Sequence, residues 1–123
     1  MRARIENIAP DIFRQRLLIE GFFARQIDEQ LVRDYLLGVA AHLGLRTYGE
    51  PVVFSPGSTG RAENAGFDAF VPLIDSGISG YFWTAQKFLS VLLYTCKGFD
   101  EQAALAYTRT YFAIDGATVT HAF

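Results

Sequence analysis

Phe67-Asp68-Ala69-Phe70-Val71-Pro72-Leu73-Ile74-Asp75-Ser76-Gly77-Ile78-Ser79-Gly80-Tyr81-Phe82-Trp83-Thr84-Ala85-Gln86-Lys87-Phe88-Leu89-Ser90-Val91-Leu92-Leu93-Tyr94-Thr95 sets three apolar runs one after another. The runs, 67–74, 78–83 and 88–95, are separated by Asp75-Ser76-Gly77 and by Thr84-Ala85-Gln86-Lys87. Parallel neighbours need a crossover of a dozen or more residues, so links this short predict strands that turn back on one another in an antiparallel sheet.

Outward from this centre, Pro51-Val52-Val53-Phe54 predicts a further strand, and Ser55 to Gly66 carries turn chemistry throughout and predicts a loop. Upstream, Asp28 stands as an N-cap ahead of Leu31, Val32, Tyr35, Leu36, Val39, Ala40 and Leu43, the recurrence of one buried helical face, with Gly44 placed to end it. This predicts a helix over 28–43, preceded by a strand over 17–23, Leu-Leu-Ile-Glu-Gly-Phe-Phe. Downstream, Asp100 caps a second predicted helix with Ala103, Ala104, Tyr107 and Tyr111 on its inner side, and Gly116 precedes a last strand over 117–122. The order is β-α-β-β-β-β-α-β, an α+β arrangement in which two helices cover one face of an antiparallel sheet.

At 123 residues the chain predicts one domain spanning 1–123. Half the residues are hydrophobic and 15% are aromatic, enough for a core and incompatible with intrinsic disorder. Eleven basic against thirteen acidic side chains give a formal charge of -2 with no basic stripe, which argues against a nucleic-acid partner. A single cysteine, Cys96, cannot close an internal disulfide. With only His42 and His121 it cannot complete a zinc site either, so no metal is expected. The charged start Met1-Arg2-Ala3-Arg4-Ile5-Glu6-Asn7 lacks the apolar core of a signal peptide, and no apolar run reaches the roughly 18 residues of a membrane span. A cytoplasmic protein with no membrane partner is expected.

Several catalytic patterns fail on spacing. Gly77-Ile78-Ser79-Gly80 is one residue short of a nucleophile elbow, and neither histidine is placed to serve as its base. Gly57, Gly60 and Gly66 fit neither a dinucleotide fingerprint nor a P-loop. His42 lies off the apolar stripe of its helix and reads as a surface side chain, and His121 as inert. On the residues alone, Ser76 reads as a hairpin-turn serine and Cys96 as a small buried hydrophobe.

The segment Ile74 to Trp83, followed by Ser90-Val91-Leu92-Leu93-Tyr94-Thr95-Cys96-Lys97, resembles the signature of the small prokaryotic S-adenosylmethionine decarboxylases. In that family a Glu-Ser pair, an aromatic strand ending near Trp and a strand ending Thr-Cys recur at this spacing. The similarity extends more weakly to Leu17–Phe23, the first helix and Phe54-Ser55-Pro56.

The resemblance implies a two-layer α/β sandwich that dimerises so that its sites lie near the interface. It also implies a proenzyme that cuts itself at Asp75-Ser76 and converts Ser76 into a covalently bound pyruvoyl group. The pyruvoyl carbonyl would take the substrate's α-amine as a Schiff base and act as electron sink when CO2 departs, and Cys96 would return a proton. Gly77 would relax the backbone beside the nucleophile. The activity implied is a carboxy-lyase of polyamine (spermidine) biosynthesis.

Three positions depart from the family pattern. Tyr81 replaces a histidine that assists processing, Asp68 replaces a second processing serine, and Ala85 replaces a glutamate that holds the ribose hydroxyls. Tyrosine, with an unperturbed pKa of about 10, still donates a proton but is a weaker acid-base group at neutral pH than histidine at about 6.5. Losing the ribose carboxylate leaves two substrate classes open, S-adenosylmethionine and a basic amino acid such as ornithine or arginine. Asp68 reads as a solvated charge, as an altered processing residue, or as a carboxylate facing a substrate's cationic end. Phe54 reads as a core residue or as a substrate-stacking ring. The altered auxiliary residues also allow a different class of function, an uncleaved binding or regulatory subunit without catalysis.

Overall fold

The structure, a computed structural model, describes residues 5–55 and 65–123. Six strands and two helices follow the expected order: β1 (Gln15–Phe22), α1 (Glu29–His42), β2 (Val52–Phe54), β3 (Gly66–Leu73), β4 (Ser76–Trp83), β5 (Phe88–Thr95), α2 (Glu101–Phe112) and β6 (Val119–Ala122). The strands form one sheet in the order β2-β3-β4-β5-β1-β6, and every neighbouring pair is antiparallel. The expected loop over 55–66 falls largely on residues 56–64, outside the described part of the chain.

Alternation along the strands decides which sheet face is covered. Leu17 and Ile19 of β1, Val71 of β3, Ile78 and Phe82 of β4, and Leu89, Val91 and Leu93 of β5 are all buried and share one face through the cross-strand register. Against them α1 lays Val32, Tyr35, Leu36, Val39 and Ala40. The helix starts where Asp28 accepts the backbone N–H of Leu31, and it stops at Gly44, whose φ of 72° is open to glycine but strained for other residues.

The second helix differs from its expected orientation. Asp100 caps it, accepting from Gln102 and Ala103, but its buried stripe is Ala104, Thr108 and Phe112. Tyr107 and Tyr111 are turned sideways toward α1, where Tyr107 lies against the ring of Tyr35 and Tyr111 donates to the Leu31 carbonyl. A tyrosine hydroxyl needs a polar partner, and the seam between the helices supplies one to Tyr111 in the Leu31 carbonyl. Thr108 is tolerated in the core because its hydroxyl donates to the Ala104 carbonyl and accepts from Tyr35 at 2.7 Å. Among the described residues no helix is long and apolar enough to cross a membrane.

Candidate active site

The turn between β3 and β4 is shorter than the sequence suggests. Ser76 is already a strand residue, paired with Leu73 on one side and Thr95 on the other, so only Ile74 and Asp75 reverse the chain. The favoured two-residue hairpin turns require a positive φ within the turn. Neither Ile74 nor Asp75 adopts one, and the irregular conformation falls on Ser76, at φ 126°. A non-glycine residue held there is strained by about 1–3 kcal/mol.

Gly77 plays a different part from the one expected. It does not carry the left-handed conformation; instead the Phe70 ring lies across it, and a Cβ added to Gly77 would come within 2.5 Å of that ring. The backbone strain beside the Asp75–Ser76 bond is therefore borne by the serine itself.

The register of β4 against β5 brings the end of one strand to the start of the other. Because Ser76 faces Thr95, the next residue, Cys96, lies against Asp75-Ser76. Ser76 Oγ is 3.1 Å from Cys96 Sγ, and the backbone N–H of Cys96 donates to the Asp75 carbonyl at 2.8 Å. Cys96 is exposed, not the buried hydrophobe that its residue type suggests, because β5 ends at Thr95 and Cys96 follows it outside the strand.

Gln15, which the sequence did not single out, and Thr95, notable there only for its place before Cys96, hold this cysteine in place. The Gln15 amide donates to the Phe99 carbonyl at 2.8 Å and accepts from the Phe99 N–H at 3.0 Å, and the buried Thr95 hydroxyl donates to the Lys97 carbonyl. Together they fix both sides of the segment that carries the thiol. The Thr95 contact is local, whereas Gln15 lies 84 residues from Phe99, so only the β1–β5 pairing reveals its part.

Phe54, Asp68 and Tyr81 form a second cluster. Phe54 pairs with Asp68 and Asp68 with Tyr81, so the three stand in a row across β2, β3 and β4 on the sheet face away from the helices. Phe54 is 66% exposed and is not a core residue, because β2 is a three-residue edge strand whose alternation turns only Val53 inward. With Val52, Phe70 and Ser79 these residues line a shallow cavity of about 140 Å³. Tyr81 and Ser76 are five residues apart on one strand, a separation of roughly 17 Å at about 3.3 Å per residue. Within a single chain the two clusters do not meet. Ala85 lies exposed in the β4–β5 turn.

Ser76 is thus a strained serine held against the Cys96 thiol, with the preceding carbonyl accepting a backbone N–H. A family model described as S-adenosylmethionine decarboxylase matches residues 19–123. The chain belongs to the S-adenosylmethionine decarboxylase family. Among solved structures it is similar to the adenosylmethionine decarboxylase of Aquifex aeolicus, with a TM-score of 0.70 at 19% identity, over 91% of this chain and 89% of that one. At that identity the likeness is one of fold. No curated protein matches. The S-adenosylmethionine decarboxylase fold is thus the two-layer α+β sandwich described above, with the Ser76–Cys96 pair at one end of its sheet and the Asp68 row farther along the open face.

Proposed function

We propose that the chain is a pyruvoyl-dependent decarboxylase of amino-acid substrates that generates its own prosthetic group at Ser76. The observation that carries this is the 3.1 Å contact between Ser76 Oγ and Cys96 Sγ beside an Asp75 carbonyl bound by the Cys96 N–H.

In maturation, Ser76 Oγ adds to the Asp75 carbonyl carbon. The Cys96 N–H stabilises negative charge building on that oxygen, as an oxyanion donor does. Breaking the Asp75–Ser76 C–N bond gives an ester, and elimination across Cα–Cβ of residue 76 frees the Asp75 carboxylate. Water then replaces the remaining nitrogen, which leaves as ammonia, and a pyruvoyl group heads the second fragment. The strain at Ser76 favours the first step, since opening the peptide releases it.

These residues suit the group they would carry: a hydroxyl precursor at a strand end, an adjacent thiol and an exposed approach. A pyruvoyl carbonyl supplies the electron sink that decarboxylation of an α-amino acid needs. Cys96, anchored through Thr95 and Gln15, holds the proton destined for the carbon that loses CO2.

The working unit we propose is a homodimer. The uncovered sheet face presents Leu18, Phe22, Phe70, Leu92 and Tyr94, and Phe22 alone is 62% exposed, a surface that monomers rarely leave open. Phe54, Asp68 and Tyr81 stand too far from Ser76 of their own chain to touch one small substrate with it, so a second copy would have to supply them. The amine product is of the kind that polyamine synthesis uses, from S-adenosylmethionine or a basic amino acid.

Release of labelled CO2 tests the proposal. Wild-type protein is expected to release it from at least one of S-adenosylmethionine, ornithine and arginine, Ser76→Ala to release none, and Cys96→Ala to be slower by about a hundredfold or more. Equal turnover in Cys96→Ala would remove the thiol from the chemistry. Absence of release from all three would favour a binding or regulatory subunit.

A further inference from the structure

Phe54, Asp68 and Tyr81 are held side by side by two strand registers, with a carboxylate in the centre and an aromatic ring on each side. Neighbouring strands lie about 4.8 Å apart, so a positive group resting on the carboxylate is within about 6 Å of both rings, the range of a cation–π contact. Asp68 is exposed, and the rest of the lining is apolar apart from the Ser79 hydroxyl, so few neighbouring side chains of the groove compete for the carboxylate. This is a recognition site for an organic cation that carries N–H donors, because such a group satisfies the carboxylate lone pairs as well as its charge.

Size narrows the class. At about 140 Å³ the shallow cavity of one chain is less than half of the roughly 300 Å³ at which pockets for drug-sized ligands begin, a size that suits a side-chain tip. The β4–β5 turn offers no carboxylate for a ribose diol, since Thr84, Ala85, Gln86 and Lys87 make up that turn. Resting on the dimeric decarboxylase proposed above, we infer that the substrate is a basic α-amino acid, its terminal ammonium or guanidinium on Asp68 between Phe54 and Tyr81. An extended side chain of five or six bonds of about 1.5 Å spans under ~8 Å, well short of the intrachain gap, so the Asp68 that binds it belongs to the subunit facing Ser76.

Binding and turnover test this separately. Ser76→Ala protein, which keeps the cavity and cannot mature, is titrated by calorimetry with L-arginine, L-ornithine and S-adenosylmethionine. One basic amino acid is expected to bind at least about tenfold tighter than S-adenosylmethionine. Adding Asp68→Asn should weaken it by about tenfold or more, and Asp68→Glu, which retains the charge, should restore most of the loss. Tighter binding of S-adenosylmethionine, or no change with Asp68→Asn in a chain whose circular dichroism is unaltered, would overturn the assignment. So would loss of self-cleavage in Asp68→Asn alone with amino-acid binding intact, since Asp68 would then serve maturation. If binding follows the expected order but wild-type protein stays uncleaved, the recognition stands and the pyruvoyl chemistry fails. If CO2 is released from S-adenosylmethionine only, the chemistry stands and the recognition fails.

Discussion

Ser76 combines a nucleophile with a backbone conformation that serine resists, and the two properties can be separated by substitution. Ser76→Ala and Ser76→Gly both remove the hydroxyl, but only glycine relieves φ 126°. The glycine variant should therefore be more stable by about 1 kcal/mol or more, read as a difference in denaturation midpoint between two uncleaved proteins. Equal midpoints would show that no strain is stored there. The thiol depends on its anchors in the same way. Gln15→Ala removes both hydrogen bonds to Phe99 and should slow the appearance of cleaved fragments while costing about 1–3 kcal/mol of stability. An unchanged cleavage half-time would mean that Cys96 is held by other contacts.

Between the helices, Tyr35 is fully buried and donates its hydroxyl to Thr108. Burial pushes its pKa far above the usual tyrosine value, and burial raises Tyr107 and Tyr111 in the same direction. With folded values above unfolded ones, the folded chain holds its phenolic protons more tightly. The stability this contributes is complete below about pH 10, the ordinary tyrosine value, and is lost as pH rises beyond it. Tyr35→Phe should cost about 1 kcal/mol at neutral pH and flatten the alkaline fall in stability, checked by urea unfolding from pH 7 to 11. At this scale the sequence was largely legible, because element order rests on hydrophobic period and caps. Asp28, Asp100 and Gly44 mark helix ends where expected, and Phe88–Thr95 keeps its predicted bounds. The inner stripe of α2 was misread because Tyr107 and Tyr111 look like core residues until their hydroxyls are considered. The Ser76–Cys96 pairing was visible only as a spacing borrowed from a resemblance. Its cause, the Ser76–Thr95 register, is a long-range contact that no local pattern encodes.

Among the described residues one sheet face is covered by helices and one is left open. A charge in the middle of the open face should disrupt association without disturbing the core, so Leu92→Glu is expected to sediment as a monomer where wild-type protein sediments as a dimer. The proposed sharing of the site between subunits makes a stronger demand. Cys96→Ala chains retain Asp68 and Asp68→Asn chains retain Ser76 and Cys96, so mixed dimers contain one complete site and should, at low substrate concentration, turn over faster than either parent. Failure of the mixture to exceed its parents would confine the site to one chain. Beneath all of this lies the cut at Asp75–Ser76, and intact mass measures it most directly. Purified wild-type protein is expected to give fragments of 75 and 48 residues, the shorter one lighter by one ammonia than hydrolysis would leave it, while Ser76→Ala remains whole. A single 123-residue species persisting in wild-type protein after prolonged incubation would contradict the account.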